Sequence, residues 1–126
     1  MLENLKKLVL FLKTLKPDQF DIRHFENPDG GRCALGWAAE VFPDVFKLKP
    51  LDYYLSKSLY YKGNNKIMFR APWEGGVPRP NPDLSEFFGT SDSESEELFG
   101  LNDPDRTLEE EIRLLEEYIS KKEENV

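Results

Sequence analysis

The side chains best able to do chemistry in this chain lie close together in sequence. Phe20-Asp21-Ile22-Arg23-His24-Phe25 carries the only histidine, and the only cysteine, Cys33, stands eight positions after Phe25. Cys33 opens the run Cys33-Ala34-Leu35-Gly36-Trp37-Ala38-Ala39-Glu40-Val41-Phe42-Pro43, which reads as a slim helix. A thiol at a helix start gains acidity from the unpaired N–H groups there. His24 could then act as a base, with Asp21 orienting the imidazole and Gly30-Gly31 admitting a substrate. No hydrolase signature surrounds either residue. The reading adopted is therefore non-enzymatic, with no catalytic residue assigned and Cys33 packing as a small apolar side chain; a Cys33–His24 hydrolase is the alternative.

Metal chemistry has less to stand on. One His and one Cys supply two soft ligands at most, so carboxylates would have to complete any site. Asp103, Asp105, Thr107 and Glu109 alternate like the start of a calcium loop, but Pro104 interrupts them and no glycine occupies the sixth position. Gly30-Gly31 and Gly75-Gly76 are bare pairs that match no phosphate-cradling pattern. No metal or cofactor is expected.

Binding chemistry is better represented. Tyr53, Tyr54, Tyr60, Tyr61 and Trp73 cluster with Lys62, Lys66 and Arg70 around one segment. Tyr and Trp are favoured at recognition surfaces, and aromatics among cations suit a base and a phosphate. The same aromatics would equally fill a core. Glu94, Glu96, Glu97, Glu109 and Glu110 offer an acidic face, which reads either as a solvated surface or as a row competing for a basic groove.

The elements that must position these residues follow from periodicity and punctuation. Leu5, Leu8, Leu12 and Leu15 place a helix over residues 2–15, stopped by Pro17. Residues 18–25 read as extended, and Asn27-Pro28-Asp29-Gly30-Gly31 as a turn. The helix from Cys33 ends before Pro43, and Gly36 within it implies close backbone approach by another element. Gly63-Asn64-Asn65 marks an antiparallel hairpin over about 57–70, followed by a Pro/Gly-rich loop at 71–82. Asp83 to Gly89 and Ser91 to Gly100 form two short capped helices. Thr107 and Glu110 cap a last helix over about 108–122, with Leu108, Ile112, Leu115 and Ile119 as its stripe.

The assembled expectation is a mainly α (α+β) fold: a compact single domain, 1–126, of four to five helices with one small antiparallel β-hairpin. Its core should comprise Leu5, Leu8, Leu12, Leu35, Trp37, Phe42, Phe88, Leu98, Phe99, Ile112, Leu115 and Ile119. The early apolar run Leu8 to Leu12 is too short for a secretory signal or a bilayer span, and a lone Cys fits a reducing compartment. A cytoplasmic location without membrane association is expected.

Charge is unevenly spread. Residues 1–70 carry 12 Lys/Arg against 8 Asp/Glu, whereas residues 71–126 carry 5 against 16, for a chain total of −7. This acidity disfavours nucleic acid as a partner.

Phe20-Asp21-Ile22, Cys33-Ala34-Leu35-Gly36-Trp37-Ala38, Phe87-Phe88-Gly89-Thr90-Ser91 and Leu98-Phe99-Gly100, with Arg106 and Thr107 beyond, form a pattern. It resembles small accessory proteins of bacteriophages and prophages that share a C-x-x-G-[WH]-A helix and F-F-G and L-F-G motifs. The likeness touches about two thirds of the chain through short motifs; residues 44–82 have no counterpart, and no site residue is carried over. It implies a protein made in a bacterial host cytoplasm that binds a host protein, such as a defence factor, and inhibits or redirects it. A protein that sequesters a small nucleotide signal is the alternative. Oligomeric state is not specified by any of these features.

Overall fold

The computed structural model describes residues 2–50, 57–61, 66–67, 86–100, 103 and 105–124. It is mainly helical, with a small antiparallel sheet. Helix α1 spans Leu2–Leu12 and buries Leu5, Leu8, Val9 and Leu12, one continuous helical face. It ends at Leu12 rather than near residue 15. The chain unwinds through amide bonds from Lys13 to Val9 and from Leu15 to Leu12, ahead of a 3₁₀ turn at Pro17–Gln19. Proline at 17 disfavours helical geometry at the residue before it, so the helix must be released earlier.

Residues 18–25 depart from the extended expectation. The Asp21 carboxylate accepts the Arg23 amide at 2.9 Å, and the chain turns at residues 22–23. An aspartate that bonds the backbone two residues on closes a turn in place of a strand. Strand alternation is lost with it, and Ile22 and Phe25 are both buried. The segment is pinned by a parallel bridge from Phe20 to Arg32 and by the Cys33 amide on the His24 carbonyl.

Helix α2, Ala34–Val41, buries Ala34, Leu35, Gly36 and Ala38, and Cys33 is its N-cap. Gly36 has the expected cause: a methyl group there would run into the Phe25 carbonyl oxygen. Strands β1 (Phe46–Pro50), β2 (Lys57–Tyr61) and β3 (Lys66–Ile67) form an antiparallel meander in that order. Lys47 pairs with Tyr60, and Tyr60 with Ile67. The β2–β3 pair is the hairpin anticipated from Gly63-Asn64-Asn65. Strand β1 was not anticipated, although Phe46-Lys47-Leu48-Lys49 alternates as a half-buried strand does.

Residues 86–88 are helical and end at Gly89, whose φ is +70°. Helix α3 covers Asp92–Leu98 and helix α4 covers Leu108–Glu124. The capping boxes predicted at Ser91 and Thr107 form, and the one predicted at Asp83 lies outside the described residues. The Glu94 amide donates to Ser91 Oγ and the Ser91 amide to Glu94 Oε1, at 3.2 and 2.8 Å. Thr107 and Glu110 exchange the same bonds, both at 3.2 Å. Gly100 at φ +75° ends α3 in the left-handed conformation that glycine adopts without strain.

Helix α4 buries Leu108, Glu111, Leu115 and Ile119 against the core. Two ion pairs fix its direction on α1: Lys6 to Glu123 at 2.8 Å and Lys13 to Glu116 at 3.0 Å. Two turns forward on α1 match two turns back on α4, so the helices run antiparallel. The other end of the core is aromatic. Phe42, Phe46, Phe87, Phe88 and Phe99 pack with neighbouring ring centroids 4.9 to 6.4 Å apart, mostly edge to face. Trp37, Phe42 and Ile112, expected in the core, are half-buried. Trp37 lies against Phe11 and spends its indole N–H on the Gln19 carbonyl, 3.0 Å away. A ring that needs a polar partner stays at the rim.

Candidate functional site

The Asp21–His24 arrangement forms as the sequence suggests. His24 Nδ1 lies 2.7 Å from Asp21 Oδ2, and Asn27 Nδ2 donates to the same oxygen at 2.8 Å. Partial burial pushes the Asp21 carboxyl up, but the hydrogen bonds from Asn27, the Arg23 amide and His24 outweigh it and hold it below its ordinary value. Asn27 Oδ1 in turn accepts the Asp29 and Gly31 amides, each at 2.9 Å. The pair is thus built into the framework of a tight turn.

Cys33 is joined to this turn through the backbone, its amide donating to the His24 carbonyl at 2.8 Å. The residue is 5% exposed. Gly30 adopts φ +89° and Gly31 abuts the Asn27 side chain, so the glycines serve the turn itself. Among the described residues, no group of three or more His, Cys, Asp and Glu is placed to hold a metal ion.

Of the predicted binding residues, Tyr60 and Tyr61 lie in β2 and Lys66 in β3. Tyr53, Tyr54, Lys62, Arg70 and Trp73 lie outside the described residues. The predicted acidic face divides. Glu97 and Glu109 are exposed and Glu96 is half-buried, whereas Glu94 and Glu110 are tied into helix caps. Glu94 also accepts the Tyr118 hydroxyl at 3.2 Å and pairs with Lys122 at 3.3 Å. The Ser91 amide and Lys122 hold its carboxyl below the ordinary value despite some burial. Burial and the facing Glu94 push the Tyr118 hydroxyl up to about 12.

Glu111, the next residue along from Glu110, turns away from this surface. It is fully buried, and its Oε2 accepts from Arg106 Nη1 at 2.8 Å. Arg106 also donates to the Leu98 carbonyl at 3.0 Å and to Asp103 at 3.2 Å. This clasp ties the end of α3 to the start of α4. Burial pushes the Glu111 carboxyl up to about 7, against the pull of Arg106. Its other oxygen, Oε1, has no hydrogen-bond partner among the described residues. The signal lay in the spacing. Glu111 is three positions after Leu108 and four before Leu115, on the apolar stripe, and a carboxylate there requires a cation.

A broad concavity lies elsewhere, along α4 where the chain leaves α1. Its volume is about 1040 Å³. Leu15, Pro17, Leu108 and Ile112 supply its apolar part; Glu109, Arg113, Glu116, Glu117, Lys121 and Glu124 form a charged rim. It contains neither the thiol nor the imidazole. The sequence reading missed it because Leu15 and Ile112 were counted as ordinary members of helix stripes, and only the packing of α1 on α4 leaves them at an opening. No family model, curated protein or solved structure matches the chain.

Proposed function

We propose that this chain is a non-enzymatic binding protein of the phage accessory type, which engages a host protein and inhibits or redirects it, a bacterial defence factor being the kind of target it suits. The observation that carries this reading is the separation of the groove from the reactive side chains. The groove along α4 offers apolar surface and charged groups but no thiol or imidazole. The one thiol is buried at the start of α2, and the one imidazole is held in a turn by Asp21. Apolar floor plus charged rim is the makeup of a protein-recognition surface. The acidic balance of residues 71–126, 5 Lys/Arg against 16 Asp/Glu, supplies long-range steering toward a basic partner.

The test is affinity capture from bacterial lysate with the tagged wild-type chain, followed by quantitative mass spectrometry. One or a few host proteins enriched at least tenfold over a tag-only control are expected. Enrichment indistinguishable from that control across several bacterial lysates would defeat the reading.

A further inference from the structure

Resting on that binding reading, we infer that the α4 groove is the docking site itself, and that its occupant is an amphipathic helix with apolar anchors on one stripe and Lys or Arg beside them.

Three observations lead there. The first is shape. The groove follows α4 from Thr107 to Glu124, 17 residues on from its start, which is about 25 Å of helix. That suits a partner helix of about four turns, a common mode of groove recognition. The second is the apolar anchor. Leu108 of α4 is buried in the core, but Ile112, one turn on, is only half-buried and opens into the groove beside Leu15. A partner's leucine or phenylalanine would remove that surface from water.

The third observation is charge. Glu116 in the rim is already paired with Lys13, and Glu123 just outside it with Lys6. Glu109, Glu117 and Glu124 have no ion-pair partner among the described residues, and they stand along one side of the helix. Arg113 and Lys121 offset them only in part. The complement of three open carboxylates is a helix with basic flanks. A second copy of this chain fits poorly, because two molecules of net charge −7 repel.

The experiment uses a fluorescein-labelled 18-residue peptide of Leu and Lys in amphipathic helical order, titrated into the full chain by anisotropy at about 50 mM salt. Controls are the same composition in scrambled order and a Leu/Glu counterpart. Binding in the low-micromolar range is expected for the ordered basic peptide, at least tenfold tighter than for either control. The pair Glu109→Lys and Glu124→Lys should weaken it at least tenfold. An equal charge change placed elsewhere, Asp29→Lys with Asp44→Lys, should change it less than twofold. Equal losses from the two double variants would mean diffuse attraction to an acidic protein and would overturn the inference. So would absence of binding at 1 mM, or a concentration-dependent dimer in sedimentation that blocks the peptide. Host capture that survives in the Glu109→Lys, Glu124→Lys variant would leave the binding function standing and remove only this site.

Discussion

At the scale of single residues, the Arg106–Glu111 clasp offers the sharpest consequence. The ordinary carboxyl value is 4.5, and burial raises it in the folded protein to about 7. The folded state therefore keeps a proton that the unfolded chain releases. This group's contribution to stability is complete below pH 4.5, declines as pH rises, and is gone above about 7. Urea midpoints of the wild type, taken relative to Glu111→Gln, should thus fall between about pH 5 and about pH 8. A difference that stays flat over that range would instead indicate a pair ionised from the outset. Asp21 and Glu94 act in the opposite sense: their contributions are complete above the ordinary values, decline as the pH falls below these, and are gone below the lowered values. Cys33 provides a second residue-scale test. At 5% exposure, its thiol should react with iodoacetamide in the native protein at least about a hundredfold more slowly than in urea. Native reactivity that rises at neutral pH to the level of an open thiolate would return the Cys33–His24 hydrolase to consideration.

At the scale of elements, close approach and burial outweigh propensity and surface charge. Alanine at position 36 would gain about 1 kcal/mol of helix propensity. The added methyl would meet the Phe25 backbone carbonyl, which cannot rotate aside. Overpacking costs about 1 to 3 kcal/mol even where side chains yield. Gly36→Ala should therefore destabilise the fold by about 2 kcal/mol, seen as a lower thermal midpoint; an unchanged or raised midpoint would place α2 farther from the 20–33 turn. The α1–α4 contact makes a matching comparison. Lys13→Ala removes a half-exposed pair and should cost under about 1 kcal/mol. Leu12→Ala, one residue away and fully buried, should cost about 2 to 5 kcal/mol by denaturant titration.

At the scale of the molecule, α1, α2, β1, the 86–88 turn, α3 and α4 all contribute side chains to one connected core. One core predicts one cooperative transition. Far-ultraviolet circular dichroism and tryptophan fluorescence should give coincident urea curves, and separated midpoints would divide the chain into independent units. Among the described residues, no helix is long and apolar enough to cross a membrane.

The sequence by itself determined the helices and the caps at Ser91 and Thr107, although α1 stops at Leu12, short of the expected residue 15. Ser91 with Glu94 and Thr107 with Glu110 bond within four residues of chain, and the Leu5-Leu8-Leu12 and Leu108-Leu115-Ile119 stripes need only the helical period. Gly36 announced a close neighbour without naming it, and the Gly63-Asn64-Asn65 turn signal was enough to foresee the pairing of β2 with β3. Tertiary structure decided the rest. It turned Asp21 back on its own backbone where alternation read a strand, and it added β1 because a strand needs a neighbour to pair with. It took Glu111 inside to meet Arg106, and it left Leu15 and Ile112 lining an open groove along α4. Such features depend on which residues, distant along the chain, share one place. Local periodicity carries no record of that.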